Sequence, residues 1–225
     1  MAIFFTSDTH FNHVLAYETY CPRRHELFSS LEEMNEALIV NWNSIVGPED
    51  TVYHLGDFAM GDRKRFMEFR RRLNGHIILI FGNHDVERGK KKHTIEIFGE
   101  KNVFHKLIID IDGVGPVQLS HSPSIWQQEN GKGELRAAFP PNHECIFPPE
   151  RDYEGWSHCG CGARRRRTDR ALDPGVVIGL CGHVHQAFKI SPGGSWINVG
   201  VDVMDYRPVG LQDVIDLINS TKTVK

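Results

Sequence analysis

Apolar residues in this chain follow two patterns. In the first, short unbroken runs stop abruptly at polar clusters. Ile77-Ile78-Leu79-Ile80-Phe81 is the clearest, and its length and β-branched content read as a strand buried on both faces. Ala2 to Thr6, Thr51-Val52-Tyr53-His54-Leu55, Val176 to Cys181 and Trp196 to Val199 read the same way. Val103 to Ile111 and Val117 to Leu119 flank a turn near Asp112-Gly113, the pattern of a hairpin. In the second pattern, apolar residues recur at three and four residue spacing. Leu31, Met34, Leu38, Trp42 and Ile45 follow Ser30-x-x-Glu33, a capping box, and predict a helix that Gly47-Pro48 stops. Asp62 caps another, with Phe66, Phe69 and Leu73 inward and Arg70 to Arg72 mostly outward. A short helix around Ile95 to Phe98 follows, and Leu211, Val214, Ile215 and Ile218 mark a closing helix.

Ser124 to Asp173 breaks both patterns. It holds Pro140-Pro141, Pro148-Pro149, three of the five cysteines and the run Arg164 to Arg167, and it reads as an irregular insertion. The expected organisation is one domain over residues 1–225, interrupted by that insertion at about 123–173. With 40% hydrophobic content, 225 residues suffice for one core.

Composition excludes several classes. No apolar run approaches the ~20 residues of a membrane span. The N-terminus lacks the basic start and long apolar stretch of a signal peptide. An odd cysteine count suggests no disulfide framework, so a cytoplasmic location with no membrane partner is expected. Net charge of −3 argues against a protein that coats nucleic acid.

The chemistry sits where the apolar runs end. Asp8 and His10 follow the first strand and Asp57 the second; Gly82-Asn83-His84-Asp85 follows the third. His121 follows the hairpin, and Gly182-His183-Val184-His185 the strand after it. In extended chain, residues two apart face the same side, so Asp8 and His10 are expected to point together. Ligands in open α/β sheets gather beyond the carboxyl ends of strands. One Asp-x-His is explained well by a solvated turn; five buried strands ending this way are not. Mixed carboxylate, imidazole and amide donors suit Mn²⁺, Fe²⁺, Co²⁺ or Zn²⁺ rather than Ca²⁺ or a thiolate-bound ion.

These motifs, in this order, resemble the complete signature of the calcineurin-like metallophosphoesterases. The resemblance frames most of the chain and fails over roughly residues 123 to 173. It implies a four-layer α/β/β/α sandwich, two mixed β-sheets flanked by helices. It also implies two divalent metal ions, Mn²⁺ first, with Fe²⁺, Co²⁺, Zn²⁺ or Ni²⁺ as alternatives. By the family pattern Asp8, His10, Asp57 and His185 hold one ion; Asp57, Asn83, His121 and His183 hold the other, with Asp57 bridging. The implied reaction is phosphoester hydrolysis by a metal-bridging hydroxide. Asn83 and His84 would contact substrate, and His84 would assist the leaving oxygen. Asp85 is expected to orient His84 and hold it protonated.

The substrate stays open at this level. A phosphodiester, a cyclic nucleotide or nucleic-acid-like ester, suits a donor at His84 and a basic insertion. A phosphomonoesterase or protein phosphatase is the nearest rival; a non-catalytic scaffold and a nucleic-acid-binding protein are rivals from other classes. His54 reads as core or as a support to the ligands, and His76 as a surface residue. Asn12 and His13 either reach substrate or fix their loop, and Asp202 and Asp205 receive no role. In the insertion, His143, Cys145, Cys159 and Cys161, with His158 as a spare, are candidate ligands of a structural zinc. Arg164 to Arg167, with Arg170, either steer a phosphate or form a solvated run. Oligomeric state is not encoded in any of these motifs.

Overall fold

The computed structural model describes residues 1–123 and 172–222. All but the last two residues of the Ser124–Asp173 insertion, with its candidate zinc ligands and its arginine run, therefore lie outside the described residues.

Among the described residues nine strands run in chain order: β1 (Ile3–Thr6), β2 (Thr51–His54), β3 (His76–Ile80), β4 (Val103–Phe104), β5 (Leu107–Ile111), β6 (Gly115–Leu119), β7 (Ile178–Cys181), β8 (Trp196–Asn198) and β9 (Val209–Gly210). They form two mixed sheets. The first has order β4-β3-β2-β1-β9, all parallel except β9. The second has order β5-β6-β7-β8, with β5 antiparallel to β6. Helices flank them: α1 (Pro22–Leu27), α2 (Leu31–Asn43), α3 (Arg63–Arg72), α4 (Asn83–Val86), α5 (Lys90–Phe98) and α6 (Leu211–Lys222).

The first sheet is buried on both faces, as its unbroken apolar runs require. Val52, Ile77 and Leu79 join Met34, Leu38, Trp42, Phe66 and Phe69 in a core beneath α2 and α3. Their neighbours Phe5, Leu55 and Ile80 join Val117, Leu119, Leu180 and Ile197 in a second core between the sheets. Successive side chains on a strand point to opposite faces, so each short run feeds both cores. The caps form as the sequence requires: Ser30 Oγ accepts the Glu33 N–H at 3.0 Å, and Asp62 Oδ1 accepts the Arg65 N–H at 2.9 Å.

One expectation needs correction. The run from Val103 to Ile111 is not one strand. It breaks at the exposed pair His105-Lys106, with β4 completing the first sheet and β5 opening the second. The segment before Ser30, which carries no apolar period, is also ordered, as a π-helical turn over Ala16–Tyr20 followed by α1.

Candidate metal centre

The carboxyl ends of β1, β2 and β3 meet those of β6 and β7, and the residues just beyond them converge. Asp8, His10 and His185 form one set whose donor atoms lie within 4.8 Å of one another; Asp57, His121 and His183 form a second. Asn83 joins the second set, its Oδ1 3.2 Å from His121 Nε2. His183 Nδ1 is also 3.2 Å from that nitrogen. Asp57 links the sets, with Oδ2 3.6 Å from His10 Nε2 and 3.3 Å from His121 Nε2.

Asp8 and His10 do not meet by strand alternation, as the extended-chain reading expected. Both leave the strand in the left-handed region, at φ 57° and 48°, and so do Asp57 (57°), His183 (69°) and His185 (43°). Such residues cost about 1–3 kcal/mol each and persist only where their surroundings over-determine them. Here a backbone lattice does so. The Asp8 N–H donates to Gly56 O at 2.9 Å, the His10 N–H to Asp57 O at 3.0 Å, and the Gly182 N–H to His121 O at 2.9 Å. Asp8 accepts the His183 N–H, and Asp57 Oδ1 accepts the His84 N–H at 2.9 Å.

Two of the motif glycines are there for space. A Cβ on Gly82 would stand 2.2 Å from Asp57 Oδ1, and one on Gly182 would stand 1.9 Å from Ser7 Oγ and 2.3 Å from Asp8 Oδ2. The loops can approach this closely only without side chains at these positions.

Burial and charge act against each other here. Burial alone would raise Asp57, but His121, His84 and His10 together hold its carboxyl well below the usual range. For His121, burial lowers the imidazole, and the charge and hydrogen bond of Asp57 more than offset this, carrying it up to about 9. Burial and the neighbouring His121 press His183 down to about 3, and burial pushes Asp8 up. His10 Nε2 is buried and has no hydrogen-bond partner among the described residues. An orphaned imidazole nitrogen between two buried carboxylates is what a cation would satisfy, and the donor types suit a first-row divalent ion.

Asp85 does not orient His84. Its carboxylate accepts the backbone N–H groups of Asp57 (2.8 Å), Phe58 (3.0 Å) and Gly82 (2.8 Å). The partner of His84 is Glu87, whose Oε1 lies 3.0 Å from His84 Nδ1 and 3.3 Å from Lys90 Nζ. Glu87 stands three residues on from His84, a spacing that marks helical neighbours, so this pair was legible in principle. His54 is fully buried beneath the loops, 2.9 Å from Thr9 Oγ1, and His76 is exposed. His13 is buried with its ring 4.9 Å from that of His84, and its Nδ1 is 2.9 Å from His10 Nδ1.

Sequence reasoning also passed over Arg24. It is fully buried and paired with Asp202, which accepts in turn from His185 Nδ1 at 2.9 Å. Nothing in Pro22-Arg23-Arg24-His25-Glu26 distinguishes a buried arginine from its exposed neighbours. Asn198, at the end of β8, clamps the same loop by donating to the carbonyls of His185 and Phe188.

Two mixed sheets whose strand ends gather buried carboxylates and imidazoles make an α/β fold with a candidate metal centre. The family model described as calcineurin-like phosphoesterase matches residues 1–187, and the chain belongs to that family. The chain is similar to an uncharacterised protein of Methanocaldococcus jannaschii, 31% identical over 227 residues that cover 99% of this chain and 94% of that protein. It is also similar to the gene 66 protein of Mycobacterium phage L5, 35% identical over 231 residues covering 96% and 93% of the two chains. A protein of unknown function from Aquifex aeolicus shares the fold, with a TM-score of 0.56 and 22% identity over 96% of this chain and 98% of that one. Family membership supports a hydrolase of phosphoesters that uses divalent metal ions, and the His/Asp groups above are candidates to bind them. Among the described residues no helix is long and apolar enough to cross a membrane.

Proposed function

We propose that the chain hydrolyses phosphodiesters with the help of two divalent ions held at these strand ends. Asp8, His10, Asp57 and His185 would hold one; Asp57, Asn83, His121 and His183 would hold the other. The observation that carries this reading is the place of Asp57 Oδ2, the oxygen at which the two donor sets meet, 3.6 Å from His10 Nε2 and 3.3 Å from His121 Nε2. When bound, such a pair supplies Lewis acidity to a shared water and positive charge for phosphate oxygens. Mn²⁺ is the occupant we favour, and the same donors accept Fe²⁺, Co²⁺, Zn²⁺ or Ni²⁺.

The chain's own side chains divide the remaining work. His121 Nδ1 donates to Leu55 O at 2.7 Å, which makes Nε2, the nitrogen facing Asn83, His183 and Asp57, the atom to ligate a cation. His10, engaged through Nε2, carries its proton on Nδ1 and donates it to His13 Nδ1. With Nδ1 of His84 occupied by Glu87, its Nε2 remains for a phosphate oxygen or the departing oxygen. An alkoxide leaves a diester poorly without a proton, so a donor at His84 favours diesters. The basic run Arg164 to Arg167 supports a nucleotide or nucleic-acid-like ester. Among the described residues Cys21 and Cys181 carry no disulfide, which supports a cytoplasmic setting.

The test is turnover of an aryl phosphate diester against its monoester with Mn²⁺ supplied. The diester should be cleaved faster. A faster monoester would put a phosphomonoesterase or protein phosphatase in its place, and undiminished hydrolysis after Asp57→Asn would point to a non-catalytic scaffold carrying a contaminant.

A further inference from the structure

We propose that Arg24 and Asp202 are positioning residues that set the affinity of one of the two ions, the one on the Asp8, His10 and His185 side. The proposal rests on the two-ion reading above and adds to it which buried groups hold those ligands in place.

Every N–H of the Arg24 guanidinium is engaged. Nε donates to Asp202 Oδ1 at 2.7 Å and Nη2 to Asp202 Oδ2 at 2.8 Å, the two parallel bonds of a fork. Nη2 also donates to Asp8 O at 2.6 Å, and Nη1 to Thr9 O at 3.1 Å and towards Met34 Sδ at 3.9 Å. The guanidinium thus grips the backbone of the loop that carries Asp8 and His10. Through Asp202 it also reaches the opposite end of the chain. Asp202 Oδ2, 2.9 Å from His185 Nδ1, accepts the proton on that nitrogen and leaves Nε2 as the atom to ligate. Cys21 Sγ, 3.3 Å from the same Nδ1, closes the pocket behind the ring.

Both side chains of the pair are 0% exposed. Burying an arginine and a carboxylate costs desolvation that their attraction often does no more than offset, so stability alone is a weak reason for the arrangement. Fixing a ligand's orientation is a better one. Partners behind a ligating histidine hold its tautomer and ring plane, and losing them typically costs about 10–100-fold in metal affinity or activity. Arg24 lies on α1, Asp202 beyond β8, Asp8 beyond β1 and His185 beyond β7, so the contact joins four separated segments on one side of the centre.

The experiment is calorimetric titration of Mn²⁺ into metal-free wild type, Asp202→Asn and Arg24→Lys, with the thermal midpoint of each metal-free protein measured alongside. Wild type should take up two ions. Asp202→Asn, nearly unchanged in shape, should weaken one binding step by about 10–100-fold and leave the other as it was. Arg24→Lys, which keeps the charge and loses the fork, should weaken the same step, and it serves as the test should Asp202→Asn not fold. Two unaltered steps in the folded variants would overturn the proposal. So would two steps that fall together with the thermal midpoint, because that is a general loss of structure. A wild-type chain that takes up one ion would sink the two-ion reading itself, and this failure is visible before any variant is compared.

Discussion

His84 Nδ1 lies 3.0 Å from Glu87 Oε1, while Asp85, its neighbour in sequence, gives its carboxylate to three backbone amides. Two acidic residues separated by Val86 thus serve the same motif differently. One holds an imidazole beside the centre, and the other ties together the loops that β2 and β3 deliver to it.

The first prediction follows from the His84 pair. For a diester with a poor alkoxide leaving group, His84→Ala should lower kcat by about 10²–10⁴-fold, the range of a general acid. Glu87→Ala should lower it by less. With a nitrophenol leaving group, which departs without help, both losses should shrink. Steady-state kinetics with the two esters decide it: equal losses on both would remove His84 from the leaving-group step.

Asp85 should matter to stability instead. Asp85→Ala strands three buried N–H groups, each costing about 1–3 kcal/mol, so a loss of about 3 kcal/mol or more is expected in denaturant unfolding. Asp85→Asn should fall between this variant and wild type. A loss below about 1 kcal/mol for the alanine variant would contradict this account.

His54 predicts a pH dependence. Thr9 Oγ1 donates its one proton to Phe58 O at 2.8 Å, so His54 Nε2–H must donate to Thr9, and His54 Nδ1 accepts the Gly56 N–H at 3.2 Å. Burial, reinforced by the charge of His121, presses this imidazole down to about 3. The unfolded chain takes up a proton near the ordinary value of 6.5 and the folded chain does not, so stability falls as pH drops from there towards 3. His54 should contribute up to about 1.4 kcal/mol per pH unit to that slope, about half of it at pH 6.5 and nearly all of it by pH 5. His54→Gln in the metal-free protein should flatten it by that amount, as read from urea unfolding at pH 6.5, 6 and 5.

Metal removal should act on stability as well as turnover. Chelation should abolish hydrolysis, and Mn²⁺ should restore it. At 100 times its Kd each ion adds about 2.7 kcal/mol to the folded state, so the thermal midpoint should drop on chelation and recover with added metal. Asp57→Asn should weaken both binding steps, in contrast to the single step expected for Asp202→Asn. An unchanged midpoint on chelation would mean that no ion is held with useful affinity.

Much of the fold was legible because burial leaves a local trace. A strand buried on both faces must be short, unbroken and apolar, and Ile77 to Phe81 shows it directly. Ser30-x-x-Glu33 marked a helix start because a cap needs a side-chain oxygen at one position. What could not be read was the crossing between sheets at His105-Lys106, since an apolar residue serves either sheet equally well. Arg24 was invisible for the opposite reason. Its burial depends on Asp202, 178 residues away, and no local pattern records a partner so distant.

Sequence alone determined which residues stand at the ends of the buried runs, and so which donor types are available and in what order. Tertiary structure alone decided that Asp57 lies between two imidazoles, that Glu87 and not Asp85 holds His84, and that Arg24 joins the first loop to the last. The physical reason is one of range. Burial and capping act within a few residues of chain. Ion pairs, left-handed loop conformations and close approaches at glycine depend on what the fold brings alongside.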